Sequence, residues 1–102
     1  MSSSNIDHEL RMALNTGKVH LGTKVAMREL RRGRAKIAIL SSNCPDETKE
    51  SITTHGRLSE IPVLEHQKDS IDLGVLCGKP YPVSVIVIND IGDSKILDLT
   101  VN

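Results

Sequence analysis

Residues 83–90 read VSVIVIND, and this run is the strongest strand prediction in the chain. Its closely spaced Val and Ile residues belong to the β-branched types that strands favour. KIAIL, at residues 36–40, is a second short and almost wholly apolar run, which is typical of a strand covered on both faces. KVHL (18–21) and IPVLE (61–65) are predicted as two further strands, the latter with Pro62 near its start. Strand-forming segments therefore recur along the whole chain.

Helical segments alternate with these strands. Ile6, Leu10, Ala13 and Leu14 recur at helical spacing, which predicts a helix over residues 5–16 with Gly17 as its C-terminal cap. Three more helices are predicted: from Gly22 to Arg32 with Gly33 as the stop, from Pro45 at the first helical position to about Leu58, and from a cap at Asp69 or Ser70 to Leu76 with Gly78 at its end. KILDLTV (95–101) alternates and is predicted as a final strand at an edge.

This alternation of strands and helices predicts the fold class. Helices between strands cover both faces of a sheet, because each element must bury its apolar side against another layer. We therefore predict an α/β protein: one domain over residues 1–102, a three-layer α/β/α sandwich with a central mixed four-stranded sheet. The length of 102 residues suits one domain with a modest core.

Composition excludes several classes of protein. The N-terminus, MSSSNIDHEL, is polar, so no signal peptide is expected, and no apolar run approaches the ~20 residues of a membrane span. We expect a soluble cytoplasmic protein without a membrane partner. Cys44 and Cys77 lack CxxC spacing, which indicates neither a disulfide framework nor a zinc motif. No metal and no cofactor are therefore predicted.

Basic residues are concentrated in one block, although 13 basic and 13 acidic residues give the chain a formal net charge of zero. Residues 18–36 contain one acidic residue, Glu29, and seven basic ones: Lys18, Lys24, Arg28, Arg31, Arg32, Arg34 and Lys36. This block carries a net charge of +6, so the rest of the chain carries −6. Such a block indicates a local anionic partner, and the alternative is a solvated helix face that needs no partner.

Tyr81 is the only aromatic residue in the chain, and it lies in a predicted loop, GKPYPV, at residues 78–83. Pro80 and Pro82 restrict the backbone on both sides of the ring, and Lys79 is close in sequence. A ring held in this way suits stacking on an unpaired nucleic-acid base, with the lysine at a phosphate. The alternative is a tyrosine packed over the edge of the core.

Two other loops precede helices, where ligands of open α/β sheets gather. Gly22-Thr23-Lys24 combines a helix start, whose N–H groups favour phosphate, with the positive charge of Lys24. An ordinary helix start is the alternative. Asn43, in the loop before Pro45, both donates and accepts hydrogen bonds, so it could read a base edge or hold the loop.

An enzyme is the competing class. Cys44 precedes a predicted helix, a setting that would lower its pKa, and the candidate bases are His8, His20, His55 and His66. No phosphate-binding glycine loop, HExxH motif or nucleophile elbow is present in the sequence. We therefore predict no catalytic residues, and keep a small α/β enzyme or metabolite-binding domain that uses Cys44 as an alternative.

Taken together, four stretches resemble a known family. They are TGKVHLGTKVAMRELRRGRAKIAILSSNCP (16–45), RLSEIPV (57–63), IDLGVLCGKPYPVSVIVIND (71–90) and GDSKIL (92–97). Their order and spacing resemble the L thirty e family of archaeal and eukaryotic large-subunit ribosomal proteins, within the L seven Ae superfamily, and RLSEIPV is closer to the archaeal members. The resemblance implies an α/β/α sandwich that binds kink-turn RNA, an internal loop that bends a helix sharply and ejects one base.

The resemblance also implies a set of RNA-binding residues. Gly22, Thr23 and Lys24 match the helix-start contact, and Asn43 matches the asparagine that reads the bases of the kink. The loop that holds the ejected base is matched by Tyr81 and Val83, with Lys79 beside it. Arg28 and Lys49 are weaker candidates. The chain departs from the family pattern at four positions: Thr48, Thr54, His55 and Pro82.

The resemblance implies a partner as well. It predicts a structural constituent of the large ribosomal subunit, bound to kink-turn rRNA and to neighbouring ribosomal proteins, and monomeric when off the ribosome. The near alternative is a kink-turn-binding protein that serves another ribonucleoprotein or regulates an mRNA.

Overall fold

A mixed four-stranded sheet forms the centre of the molecule in the computed structural model, which describes residues 3–100 and the side chains of residues 6–98. Its strands, in chain order, are β1 (Lys18–Leu21), β2 (Ile37–Leu40), β3 (Val63–Glu65) and β4 (Val85–Asp90), and their spatial order is β1-β4-β2-β3. Strand β4 pairs antiparallel with β1 and with β2, whereas β2 pairs parallel with β3. The predicted mixed sheet of four strands is confirmed.

Four α-helices within residues 3–100 cover the sheet: α1 (Ser3–Thr16), α2 (Thr23–Arg31), α3 (Asp46–Leu58) and α4 (Ser70–Leu76). Helices α2 and α3 share one core with Ala38, Leu40, Val85 and Val87. Helices α1 and α4 share the other core with the alternate strand residues, Ile37, Ile39, Ile86 and Ile88. Because successive strand side chains point to opposite faces, β2 and β4 are buried on both sides, which confirms the predicted three-layer sandwich.

Most element ends agree with the sequence prediction. Asp69 caps α4, since its Oδ1 accepts a hydrogen bond from the Asp72 N–H at 2.9 Å, and Gly78 follows the end of that helix with φ of 74°. Pro45 differs from the prediction by one position, because it precedes α3 with an extended ψ of 141° and the helix begins at Asp46. Strand β3 begins only at Val63.

The predicted final strand at 95–101 is wrong. Ile96–Thr100 is a 3-10 helix, and residue 101 lies outside the described residues. Glu9 of α1 holds the start of this segment: its carbonyl accepts from the Ser94 hydroxyl at 2.7 Å, and its Oε1 accepts from the Lys95 N–H at 2.6 Å. Ile96 is thereby buried in the core of α1 and α4 without joining the sheet. Contact with α1, rather than the alternation of apolar and polar residues, decides the conformation of this segment.

Candidate nucleic-acid interface

Three loops meet at one end of the sheet, which we call the loop end. They are the start of α2 at residues 22–24, the β2–α3 loop at 41–45 and the α4–β4 loop at 77–84. Strands β1 and β2 both run antiparallel to β4, so they finish where β4 begins. Backbone hydrogen bonds hold the loops to β4 and its entrance: the Gly22 N–H donates to Val85 O, and the Ser41 N–H donates to Ser84 O, both at 2.9 Å.

Asn43 joins the second loop to the third through Ser70, the first residue of α4. Its Oδ1 accepts from the Ser70 N–H at 2.9 Å, and its Nδ2 donates to Ser70 Oγ at 3.3 Å. The Ser70 carbonyl in turn accepts from the Val83 N–H at 2.9 Å. Asn43 is exposed and also holds the loop, so the loop-holding alternative is confirmed, and base reading stays a prediction.

The start of α2 has the geometry of an anion-binding helix terminus. Gly22 precedes the helix with φ of 110° and ψ of 151°, a region that L side chains rarely adopt, and no side chain of its own caps the first turn. Thr23 and Lys24 are exposed. The unsatisfied N–H groups of a first turn and an adjacent ammonium group are complementary to a phosphate.

The loop at 78–82 holds Tyr81 outside both cores, with 52% of the residue exposed. The loop folds back on α4, where the Lys79 N–H donates to Gly74 O at 2.8 Å. A Cβ at Gly74 would overlap the Tyr81 carbonyl oxygen, so this close approach requires glycine in α4. The predicted exposure of the ring is confirmed, and Lys79 beside it is also exposed.

Two exposed apolar residues beside Tyr81 were missed by sequence reasoning. Ile71 and Val75, one turn apart on α4, are 63% and 70% exposed, and together with Pro80, Tyr81 and Pro82 they line one shallow depression. We call these five residues the apolar patch. The available signal was that α4, SIDLGVL, has apolar residues on all sides, although only one side can face the core.

Three predicted site residues have surroundings that the sequence did not reveal. Val83 is only 2% exposed and packs in the core of α1 and α4, so its side chain supports the loop from below. Lys49 lies near the loop end, but its Nζ is 2.6 Å from Glu65 Oε2, and this carboxylate raises the pKa of Lys49. Arg28 lies at the opposite end of the sheet, beside Glu29.

Three of the groups that could serve an enzyme, Cys44, Cys77 and His66, are engaged in packing. Cys44 is buried, and burial raises the pKa of its thiol, so the predicted lowering by the helix start is wrong. Burial likewise raises the pKa of Cys77 to about 11. His66 is buried between Asp7 Oδ1, 2.7 Å from its Nε2, and the Lys68 N–H, 2.9 Å from its Nδ1. Its two ring nitrogens are thus occupied in tying α1 to the loop before α4.

Two further classes of feature are absent from the described part of the chain. Among the residues with described side chains, no group of three His, Cys, Asp or Glu residues is arranged to hold a metal ion. No helix in the described part of the chain has the length and apolar character needed to cross a bilayer.

Comparison with known proteins identifies the family. Residues 4–98 match the model of the "Ribosomal protein L7Ae/L30e/S12e/Gadd45 family". The chain is 43% identical over 97 residues to the large ribosomal subunit protein eL30 of Methanococcus vannielii, covering 95% of this chain and 92% of the relative. It is also 43% identical over 95 residues to the protein of the same name from Methanothermobacter thermautotrophicus, covering 93% and 97% of the two chains. The chain therefore belongs to the ribosomal protein L7Ae/L30e/S12e/Gadd45 family.

Proposed function

We propose that this protein is a structural, non-catalytic component of the archaeal large ribosomal subunit in the cytoplasm, and that it binds kink-turn rRNA through the loop end. The eL30 relatives, which are nearly equal to it in length, support the ribosomal assignment. The observation that carries the RNA contact is the union of three loops at one end of the sheet, linked through Asn43 and Ser70, with an exposed tyrosine beside them.

In this proposal the apolar patch receives the ejected base. The Tyr81 ring stacks on the base face, while Ile71 and Val75 exclude water from one side of it. A kink in the RNA presents an unpaired base outside the helix, which is the ligand that an exposed ring and its apolar neighbours fit. The buried side chain of Val83 anchors the loop against the core of α1 and α4. It makes no contact with the RNA.

The other two loops orient the RNA. The amide groups at the start of α2 and Lys24 bind a phosphate, and Lys79 binds another near the stacked base. Asn43 exposes its amide group to the base edges while its Oδ1 keeps the Ser70 N–H. Because a preformed loop loses little entropy on binding, these hydrogen bonds favour affinity as well as position.

Recognition at the loop end depends on shape more than on charge. The cations available there are Lys24, Lys49, Lys68 and Lys79. Lys49 is paired with Glu65, and Lys68 Nζ lies 3.5 Å from Asp7 Oδ2. Acidic residues begin the two nearby helices: Asp46, Glu47, Asp69 and Asp72. A purely electrostatic RNA site would not place so many carboxylates beside its ligand.

Two alternatives make different forecasts. A protein of another ribonucleoprotein, or an mRNA regulator, would bind kink-turn RNA but would not co-sediment with large ribosomal subunits from cells. An enzyme using Cys44 would need a reactive thiolate, and the raised pKa of that buried thiol disfavours it.

RNA folding by fluorescence energy transfer tests the proposal. An RNA labelled at both helix ends and carrying a kink-turn loop should show increased transfer when the protein is added, because the bent form brings the ends together. The same RNA with the loop replaced by paired bases should show no increase. Absence of any protein-dependent bending would overturn the proposed RNA contact.

A further inference from the structure

A basic cleft lies at the end of the sheet opposite the three loops. It forms where β1 and β2 begin and β4 ends, and it has a volume of about 860 Å³. Its cations come from β1, from the second half of α2 and from the segment that leads into β2: Lys18, Arg28, Arg32, Arg34 and Lys36. We call this surface the basic cleft.

The basic residues at positions 18–36 are divided between the two ends of the sheet. Of the seven basic residues between positions 18 and 36, five line the basic cleft, and Lys24 lies at the loop end. The remaining one, Arg31, is exposed on α2 without lining the cleft. Most of the charge asymmetry of the chain therefore lies away from the proposed kink-turn contact.

A buried carboxylate organises part of the cleft. Glu29 is only 2% exposed, and its Oε2 accepts from Arg28 Nε at 3.1 Å while its Oε1 accepts from Asn89 Nδ2 at 2.9 Å. Arg34 Nη1 is 4.0 Å from the same Oε1. The hydrogen bond from Asn89 and that from Arg28 lower the pKa of Glu29, which stays ionised and orients the Arg28 guanidinium group.

Three cations of the cleft keep their charge available. Within the described side chains, Lys18, Arg32 and Lys36 form no ion pair. The acidic residues of the lining are Glu29 and Asp90 against five cations, so the cleft has a formal charge of +3. A concave surface with unpaired cations from separate elements concentrates anions at its mouth.

We propose that the basic cleft binds the phosphate backbone of a second RNA segment, so that one copy of this protein bridges two RNA segments from opposite ends of its sheet. Closely spaced phosphates match a row of separate cations, and arginine presents a fork of donors suited to phosphate oxygens. The choice of RNA over another polyanion rests on the proposed function, since rRNA is the polyanion that surrounds a ribosomal protein.

The test uses a fully paired RNA duplex, which carries a phosphate backbone but no kink. Labelled duplex should bind the free protein, and it should also bind the protein already saturated with a short kink-turn RNA of a different label, giving a complex that contains both. The double variant Arg32→Gln/Lys36→Gln should weaken duplex binding roughly tenfold and reduce its salt slope by about two units. Its affinity for the short kink-turn RNA should be unchanged.

A matched control removes two charges from outside the cleft. Arg31→Gln/Arg57→Gln alters the last residue of α2 and one residue of α3, both exposed, and should bind the duplex like the wild type. Equal losses in the two double variants would overturn the site, because they would mean that binding follows net charge alone. Displacement of the kink-turn RNA by the duplex would overturn it as well.

The outcomes separate this inference from the proposed function. If the protein fails to bend kink-turn RNA but duplex binding still requires Arg32 and Lys36, the cleft proposal stands and the loop-end proposal fails. If a polyglutamate peptide binds in an Arg32- and Lys36-dependent manner while the duplex does not bind, the cleft takes an acidic protein segment and the RNA proposal is overturned.

Discussion

The two proposed binding surfaces, at opposite ends of the sheet, differ in what they offer a ligand. The loop end has a fixed shape, which is set by backbone hydrogen bonds, by a required glycine and by the uncharged apolar patch. Carboxylates lie close to it. At the basic cleft, side-chain cations around one buried carboxylate create a positive electrostatic potential. Shape discriminates between ligands of equal charge, whereas charge attracts ligands regardless of shape. If both proposals hold, the most basic surface of this protein is not the one that selects the kink-turn.

Gly74→Ala should have the largest effect, because it removes the backbone approach on which the loop end depends. The new Cβ would overlap the Tyr81 carbonyl, so the loop must move. We expect about 1–3 kcal/mol of lost stability from overpacking and a further loss of kink-turn affinity from the displaced ring. Urea denaturation and kink-turn titration measure the two effects.

Gly33→Ala is the matched control for this change. Gly33 also has a constrained backbone, with φ of 69°, but open space surrounds its Cβ position and it lies outside the loop end. It should cost about 1 kcal/mol of stability without changing kink-turn affinity. If both glycine variants weakened RNA binding equally, the loop end would not depend on the close contact at Gly74.

Tyr81→Ala should weaken kink-turn binding by about 1–3 kcal/mol, the range for a base stacked on an aromatic ring. The melting temperature should change little, because the ring lies outside both cores. Tyr81→Phe keeps the stacking surface and should bind nearly as well as the wild type. A destabilised Tyr81→Ala protein with full affinity per folded molecule would show that the ring serves packing.

Asn43→Ala should reduce both stability and kink-turn affinity, each by about 1 kcal/mol, since the side chain holds Ser70 and is also the predicted reader of the bases. Asn43→Asp separates the two roles, because it keeps an acceptor for the Ser70 N–H but loses the Nδ2 donor. Thermal melting should recover in Asn43→Asp, and RNA affinity should not. Recovery of affinity together with stability would limit Asn43 to a loop-holding role.

The salt dependence of RNA binding should distinguish the loop end from the basic cleft. The quantity measured is the slope of log K for RNA binding against the logarithm of salt concentration. For a short kink-turn RNA the slope should be small, and Lys24→Ala should make it shallower by about one unit. Arg32→Gln should leave that slope unchanged, because Arg32 lines the basic cleft. A kink-turn slope approaching the value of about −10 seen for a DNA repressor would contradict recognition by shape.

The smallest effect on RNA binding is expected for the thiols. Cys44→Ser and Cys77→Ala should keep kink-turn affinity, with a stability loss of up to ~1–2 kcal/mol for the buried Cys44. Raised pKa values keep both thiols protonated, so reaction with a thiol reagent should stay slow at pH 8 and accelerate only as the pH approaches about 11 for Cys77. A folded variant that lost RNA binding, or a fast thiol reaction at neutral pH, would reopen the enzyme alternative.

The sequence predicted local features well where one short-range pattern decided them. Apolar spacing predicted α1, and Val and Ile runs predicted β2 and β4. It failed at 95–101, where Glu9 binds Lys95 across 86 positions and holds the segment against α1. It also misjudged the pKa of Cys44, because burial of that thiol in the core of α2 and α3 outweighs its place before a helix.

The candidate site divides in the same way. Residue types and the family resemblance were sufficient to indicate the helix start, Asn43 and the Tyr81 loop. That Val83 is buried and that Ile71 and Val75 are exposed could not be predicted, because α4 has apolar residues on all sides and only packing selects the side that faces the core.

By itself, the sequence determined the four helices, the four strands of the sheet and which loops carry polar and aromatic residues, because periodicity, glycine and proline act through neighbouring residues. Only the tertiary structure decided where the charge lies. Seven basic residues lie within positions 18–36, but Lys24 is at the start of α2 and Arg32 directly follows its end, next to opposite ends of the sheet. Strand direction fixes those ends, and strand direction follows from pairing between segments distant in sequence, such as β1 with β4.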